Sequence, residues 1–413
     1  MRINKVLISV ILLLIITILS ACQNSDEVIN ISSFQDWDEV LELGRNKEVN
    51  ILMWGGNESI NQYMDTYVSD NVMELYGIKL VRTPMNAPEF LTKLINEKKA
   101  NQSRGTADLL WINAENFLTA KEGGLLDGPF TDLLPNLNTY YDLEASDLNY
   151  DSGIPIEGYE GIWGRAQLVF SYDEAVLTNP PKTYEELKTW VMANPGKFTY
   201  PRLPDDFVGA AFVRNAFYEL TGESSVFQTE ASEAERIALS QDVKDYFISL
   251  NPYLWNQGTS FPATQAQLDA LFKNGEVALT MGFEIGKTAG LIQTGVYPNT
   301  VKSYVFDSGT IGNSHYLAIP FNSPEKAAAL LVMDFLQSPE AQIEKMKASV
   351  WGDMPAFDVS LLTEAQQTEL SAIQSVSGMI SLDELTTKRL PEMNALWIAW
   401  IKELWVNDIA GKS

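Results

Sequence analysis

The residues with the most chemistry in them fall in a few short stretches. Trp54-Gly55-Gly56-Asn57 closes the first strand signal and opens a helix. Glycines there let another molecule approach the backbone, and a helix start offers free N–H groups. Asn113 stands at the matching point after the third strand signal, with Glu115 and Asn116 behind it as helix-capping residues. Tyr159, Glu160, Trp163 and Arg165 lie together in a stretch rich in aromatics, glycine and acids. Carboxylates beside aromatic rings suit a cationic, ring-bearing solute: the ring stacks and the charge faces the acid. The same residues equally allow an internal ion pair between Arg165 and Glu157 or Glu160, with Trp163 packed. Arg165 facing an anionic group is a third arrangement. Glu284 follows a later strand signal, and Trp351, Gly352 and Asp353 break two helices. Phe207, Gly209 and Arg214 sit at a helix start, Arg214 as a surface or bridging charge. His315, with no partner motif nearby, reads as structural.

What is scarce excludes as much as these residues suggest. The chain has one cysteine, Cys22, and one histidine, His315. It has no internal disulfide, no cysteine metal cluster and no His-rich zinc site, and Ser-His catalysis would have to use His315. No metal or cofactor is expected. The formal charge of −25 repels nucleic acid, and no Lys/Arg cluster offsets it. No Gly-x-Ser-x-Gly stands at a strand–helix turn.

The elements that must position these residues alternate. Val49 to Trp54, Ile78 to Val81 and Ala107 to Ile112 read as strands. Between and after them come helical stretches closed by Gly77 and by Gly123-Gly124. Ser33, with Asp36 three residues on, opens a short helix in capping-box spacing. Such alternation predicts a parallel sheet flanked by helices. Arg165 to Tyr172, Val277 to Met281 and Tyr316 to Ile319 are later strands. Ser323-Pro324 starts a helix through Leu336, and Pro391 to Ile409 is an amphipathic tail helix whose tryptophans read as core.

The amino terminus is a separate device. Arg2 and Lys5 precede an apolar run, Val6 to Ile18, and Leu19-Ser20-Ala21-Cys22 follows. That is the order of a secretion signal, and the run is shorter than the roughly 20 residues a membrane span takes. Leu-Ser-Ala-Cys resembles the bacterial lipobox, which implies a lipid on Cys22.

The whole order resembles the solute-binding proteins of bacterial ABC importers. Gly161 to Asp173 is similar to the first strand crossing between lobes, and Asn274 to Gly282 to the return crossing. Pro320 to Ala329 and Phe335 to Ala341 are similar to the helices that follow. Met53 to Asn57, Ala87 to Phe90, Asp108 to Asn113, Glu157 to Glu160, Trp163 to Gln167 and Phe198 to Pro201 resemble the YnjB-like branch. The resemblance implies an α/β, two-lobe periplasmic-binding-protein fold of type II, each lobe a mostly parallel sheet flanked by helices, joined by hinge strands. It divides the chain into a signal (1–21), a tether (22–32), lobe 1 (33–170 and 283–322) and lobe 2 (171–282 and 323–413). It implies a monomeric, extracytoplasmic capture protein, lipid-anchored to the cell membrane or periplasmic, partnered by a small solute, a permease and its ATPase. The solute it suggests is thiamine-like or another organic cation. A sugar-binding transport protein, a surface binding module and a secreted carbohydrate-active enzyme are the alternatives.

Overall fold

A computed structural model describes residues 29–412. The signal and Cys22 lie outside the described residues. The expected tether ends early: Ile31 is buried, and its N–H donates to the Asp127 carboxylate. The first α-helix is Trp37–Gly44. Its cap is Asp36, whose side chain accepts the Glu39 N–H, not Ser33 as the capping-box spacing predicted.

Strand Glu48–Met53 runs parallel to both Lys79–Pro84 and Leu109–Ile112, as the alternation predicted. The long strand Thr310–Pro320 then joins antiparallel to Leu109–Ile112 and, on its other edge, to Gly161–Gln167. A second sheet places Val169–Asp173 between Leu279–Gly282 and Val301–Tyr304, antiparallel to both. This corrects the expected mostly parallel second lobe. Its strands belong to outgoing and returning passes of the chain, which run in opposite directions, and no helical crossover joins neighbouring strands in the same sense.

Each sheet organises its own apolar core. The first includes Ile51, Phe90, Phe117 and Leu331; the second includes Phe170, Phe212, Phe247 and Trp397. Helix Lys326–Gln337 is buried at every position and packs on Trp37–Gly44 and on the Gly161–Gln167 strand. A helix this apolar, buried on all faces, needs neighbours on every side, and the first core supplies them. Side chains from Ala327 to Leu385 therefore pack with the first core, whereas the sequence division gave 323–413 to lobe 2. The reverse holds for Tyr297, Val301, Tyr304 and Phe306, which pack in the second core although 283–322 was expected in lobe 1. Among the described residues, no helix is long and apolar enough to cross a membrane.

Candidate functional site

The turn after the first strand meets the return strand from the second core. Asn57 caps helix Glu58–Tyr63 through its Oδ1, and its Nδ2 donates to Glu284 Oε1 over a long 3.4 Å. The other Glu284 oxygen is buried without a partner among the described residues. Trp54 is 48% exposed and its ring folds over Gly56, where a Cβ would lie 2.3 Å from the indole. The loop of Glu284 also touches the loop of Trp351 and Asp353. Gly286 N–H donates to the Gly352 carbonyl, and Gly352, at φ 78°, lies so close to Gly286 that a side chain on either would strike the other's Cα. Three of the predicted stretches, 54–57, 284 and 351–353, thus converge.

Beneath them lies an aromatic brace. Trp111, Trp163, His315 and Trp351 stand with neighbouring ring centroids 5.1–6.2 Å apart. The strand register shifts between His315 and Tyr316, leaving Trp163 as the extra residue; such a bulge re-aims a side chain. Asp353 is 1% exposed and sits between the His315 imidazole, Nε2 at 3.1 Å, and the Lys345 ammonium, Nζ at 2.5 Å. The Lys345 ammonium also lies over the Trp163 and Trp351 rings. Burial alone would raise the Asp353 carboxyl, but Lys345 and His315 hold it below the usual value. Trp163 and Asp353 are buried in this brace and support the loops from behind.

On the opposite side of the Thr310–Pro320 strand is a cavity of about 820 Å³, within the roughly 300–1,000 Å³ range of small-molecule sites. Residues near both cores line it: Asp147, Asp151, Arg165 and Tyr316 on one side, Gln228 and Glu392 on the other. Arg165 clamps Asp147 through two hydrogen bonds of 2.7 and 2.9 Å, and Arg389 approaches the same carboxylate at 3.6 Å. Burial opposes ionisation of Asp147, but the two guanidiniums overcome it and hold its carboxyl far below the usual range. Glu392 is held by Arg214, itself 1% exposed, at 2.8 Å. Asp151 has no such cation. It accepts the Ala114 N–H and the Ser152 hydroxyl, yet burial, reinforced by Glu392 and Glu115, pushes it up to about 7. With Asp142, Asp358 and Asp383 also in the wall, the cavity is acidic.

The predicted residues therefore separate. Arg165 lines the cavity, but its partner is Asp147, not Glu157 or Glu160; Glu157 pairs instead with Lys121. Asn113 precedes helix Ala114–Glu122 and makes no side-chain capping bond. Tyr159 packs on the first core beside Gly128 and under Lys121. Glu160 is 2% exposed and faces a smaller, separate cavity. Arg214 is no surface charge: it joins helix Phe207–Thr221 to Glu392. Asp147, Asp151 and Glu392 escaped prediction. Asp147 and Asp151 sit in an irregular stretch with no periodic signal, and Glu392 lies ahead of the tail helix, which begins at Ala395 and not at Pro391 as expected.

Two cores joined by crossing strands, with polar loops of both meeting on one side and a solute-sized cavity on the other, define a two-lobe binding protein. The fold is that of type II periplasmic binding proteins. Residues 68–372 match the bacterial extracellular solute-binding proteins, and the chain belongs to that family. Protein YnjB of Escherichia coli strain K12 is 34% identical over 375 residues, 90% of this chain and 93% of the relative. Among solved structures, an extracellular solute-binding protein from Bordetella parapertussis aligns at TM-score 0.64 and 14% identity, covering 88% of this chain and 99% of that one. The spermidine/putrescine substrate-binding protein PotD from Streptococcus pneumoniae aligns at 0.60 and 14%, covering 87% and 98%. A periplasmic thiamin binding protein aligns at 0.55 and 13%, covering 87% and 94%. The chain is thus a bacterial extracellular solute-binding protein by family, which places it outside the cytoplasm.

Proposed function

We propose that this chain captures a small organic cation, of the thiamine or polyamine kind, between its lobes and hands it to an ABC permease. The observation that carries the reading is the acidic 820 Å³ cavity, whose two arginines are already engaged with Asp147 while Asp151 stands without a cation. The partner-free Glu284 oxygen and exposed Trp54 belong to the loop junction across the strand, where Glu284 lines a small pocket of its own. Lobe closure by hinge motion would bring the two sides onto the solute. The solute contacts we assign are Arg165 and Asp151, which line the cavity; Trp54, Gly55, Gly56, Asn57 and Glu284, backed by Trp351, form the loop junction on the other side of the strand, and neither they nor Asn113 line the cavity. The protein works as a monomer.

A thermal-shift screen followed by calorimetry against thiamine, spermidine, putrescine, maltose and phosphate tests this. An organic cation should raise the melting temperature, as any ligand of the folded state does. Asp151→Asn should weaken that cation by roughly tenfold at pH 8, the worth of one lost charge-assisted contact of about 1.4 kcal/mol. A shift with maltose alone would replace the cation reading with a sugar.

We also propose that Cys22 carries the lipid that moors the protein near its permease. Cys22→Ala should leave binding intact and move the protein from the membrane fraction to the soluble one. A variant that still sediments with membranes, its signal processed, refutes the anchor.

A further inference from the structure

Glu160 precedes the crossing strand Gly161–Gln167 and is almost fully buried at 2% exposure. Neither of its carboxylate oxygens has a hydrogen-bond partner among the described residues. Leaving a buried carboxylate unpartnered is costly, and burial accordingly drives this one well above the usual carboxylate range. It faces a cavity of about 160 Å³, too small for a vitamin-sized solute but with room for an ion and a few waters, each water taking about 30 Å³.

The cavity presents acceptors. Asn138 spends its amide nitrogen on the carbonyls of Thr131, Asp132 and Leu134, and Asn149 spends its own on Leu143 and Ala145. Both are left with only the side-chain oxygen to offer. The Tyr316 hydroxyl donates to the Asp147 carbonyl, and the Asp147 carboxylate is held by Arg165. No lysine, arginine or histidine is among the lining residues. We propose that this cavity is a site for a monovalent cation of the alkali or ammonium class, bound by Glu160 with the amide oxygens of Asn138 and Asn149. One free buried carboxylate balances one positive charge. A divalent ion would want several carboxylates, and no group of three metal-ligating side chains occurs among the described residues. The cavity shares Asp147 and Tyr316 with the larger one, so the ion would steady the wall between them.

The test is thermal unfolding of the protein at constant ionic strength and pH 8 in potassium, sodium, ammonium or tetramethylammonium chloride. At least one small cation should raise the melting temperature by about 2 °C over tetramethylammonium, which is too bulky for the cavity. Glu160→Gln should fold and lose the difference. Crystals soaked in rubidium should show an anomalous peak beside the Glu160 carboxylate, a readout that needs no variant. Equal melting temperatures in all four salts, a cation response that persists in Glu160→Gln, or the absence of that peak would each overturn the proposal. A response that persists in the variant would place the ion elsewhere and leave the organic-cation reading untouched.

Discussion

Lys345→Met should destabilise the protein by about 3–5 kcal/mol at pH 7, the range for removing one partner of a buried ion pair. The Lys345 and Asp353 side chains are 0% and 1% exposed, and the ammonium lies closer to that carboxylate than the His315 imidazole does. Methionine preserves most of the side-chain volume, so the loss is electrostatic rather than a cavity effect. The pH dependence identifies the cause. In the native protein the Asp353 carboxyl lies below its unfolded value. Its stabilising contribution is present above about pH 4, the unfolded carboxylate value, and fades as pH falls through the lower folded value. In the variant, burial dominates and the folded carboxyl rises above the unfolded one. It then opposes folding increasingly as pH climbs from about 4. The deficit in urea unfolding should therefore be largest at pH 7, smaller near pH 4, and shrink further as pH falls through the lower folded value. Lys345→Met combined with Asp353→Asn should recover much of it, because no unpaired charge remains. A Lys345→Met protein within 1 kcal/mol of the native one at pH 7 would remove this triad as the brace under the Glu284 loop.

That brace also marks where local sequence signals stop. The strand ends were legible because periodicity and glycine stops are local, and they put Trp54 to Asn57 and Glu284 on loops that do meet. His315 looked partnerless because Asp353 lies 38 residues further along the chain. Trp163 carried no sign of the bulge that turns it toward Trp111 and His315. Arg165 has acids close on its amino-terminal side, at Glu157 and Glu160, but pairs with Asp147, 18 residues back across an irregular stretch. The lobe boundaries failed for a similar reason. An apolar helix announces that it needs burial but not which core will bury it, and Lys326–Gln337 went to the first. Glu160 is the sharpest case: its sequence setting among aromatics matched a solute contact, and only its burial separates it from the larger cavity.

Affinity for the proposed organic cation should fall about tenfold for each pH unit below 7, and be nearly flat above it. The carboxyl responsible is Asp151, which burial pushes up to about 7 in the free protein. A raised carboxyl works against the fold: as pH rises from about 4 to 7 the unfolded chain gives up this proton and the native one retains it, so native stability declines across that window. The cost persists because the Ala114 N–H and the Ser152 hydroxyl only partly offset desolvation. A cation entering the cavity would reverse the balance by stabilising the ionised form. Binding below pH 7 then has to expel a proton, and the competent fraction shrinks tenfold per unit. Calorimetry in buffers of different ionisation enthalpy should show close to one proton released at pH 6 and almost none at pH 8.5. Asp151→Asn keeps an oxygen for the Ala114 N–H but cannot ionise. It should bind more weakly at pH 8, lose the pH dependence, and unfold with a flatter stability profile between pH 4 and 7. If the dissociation constant of the native protein is unchanged from pH 5 to 8, Asp151 does not face the solute, and the acidic cavity loses its strongest claim to be the binding site.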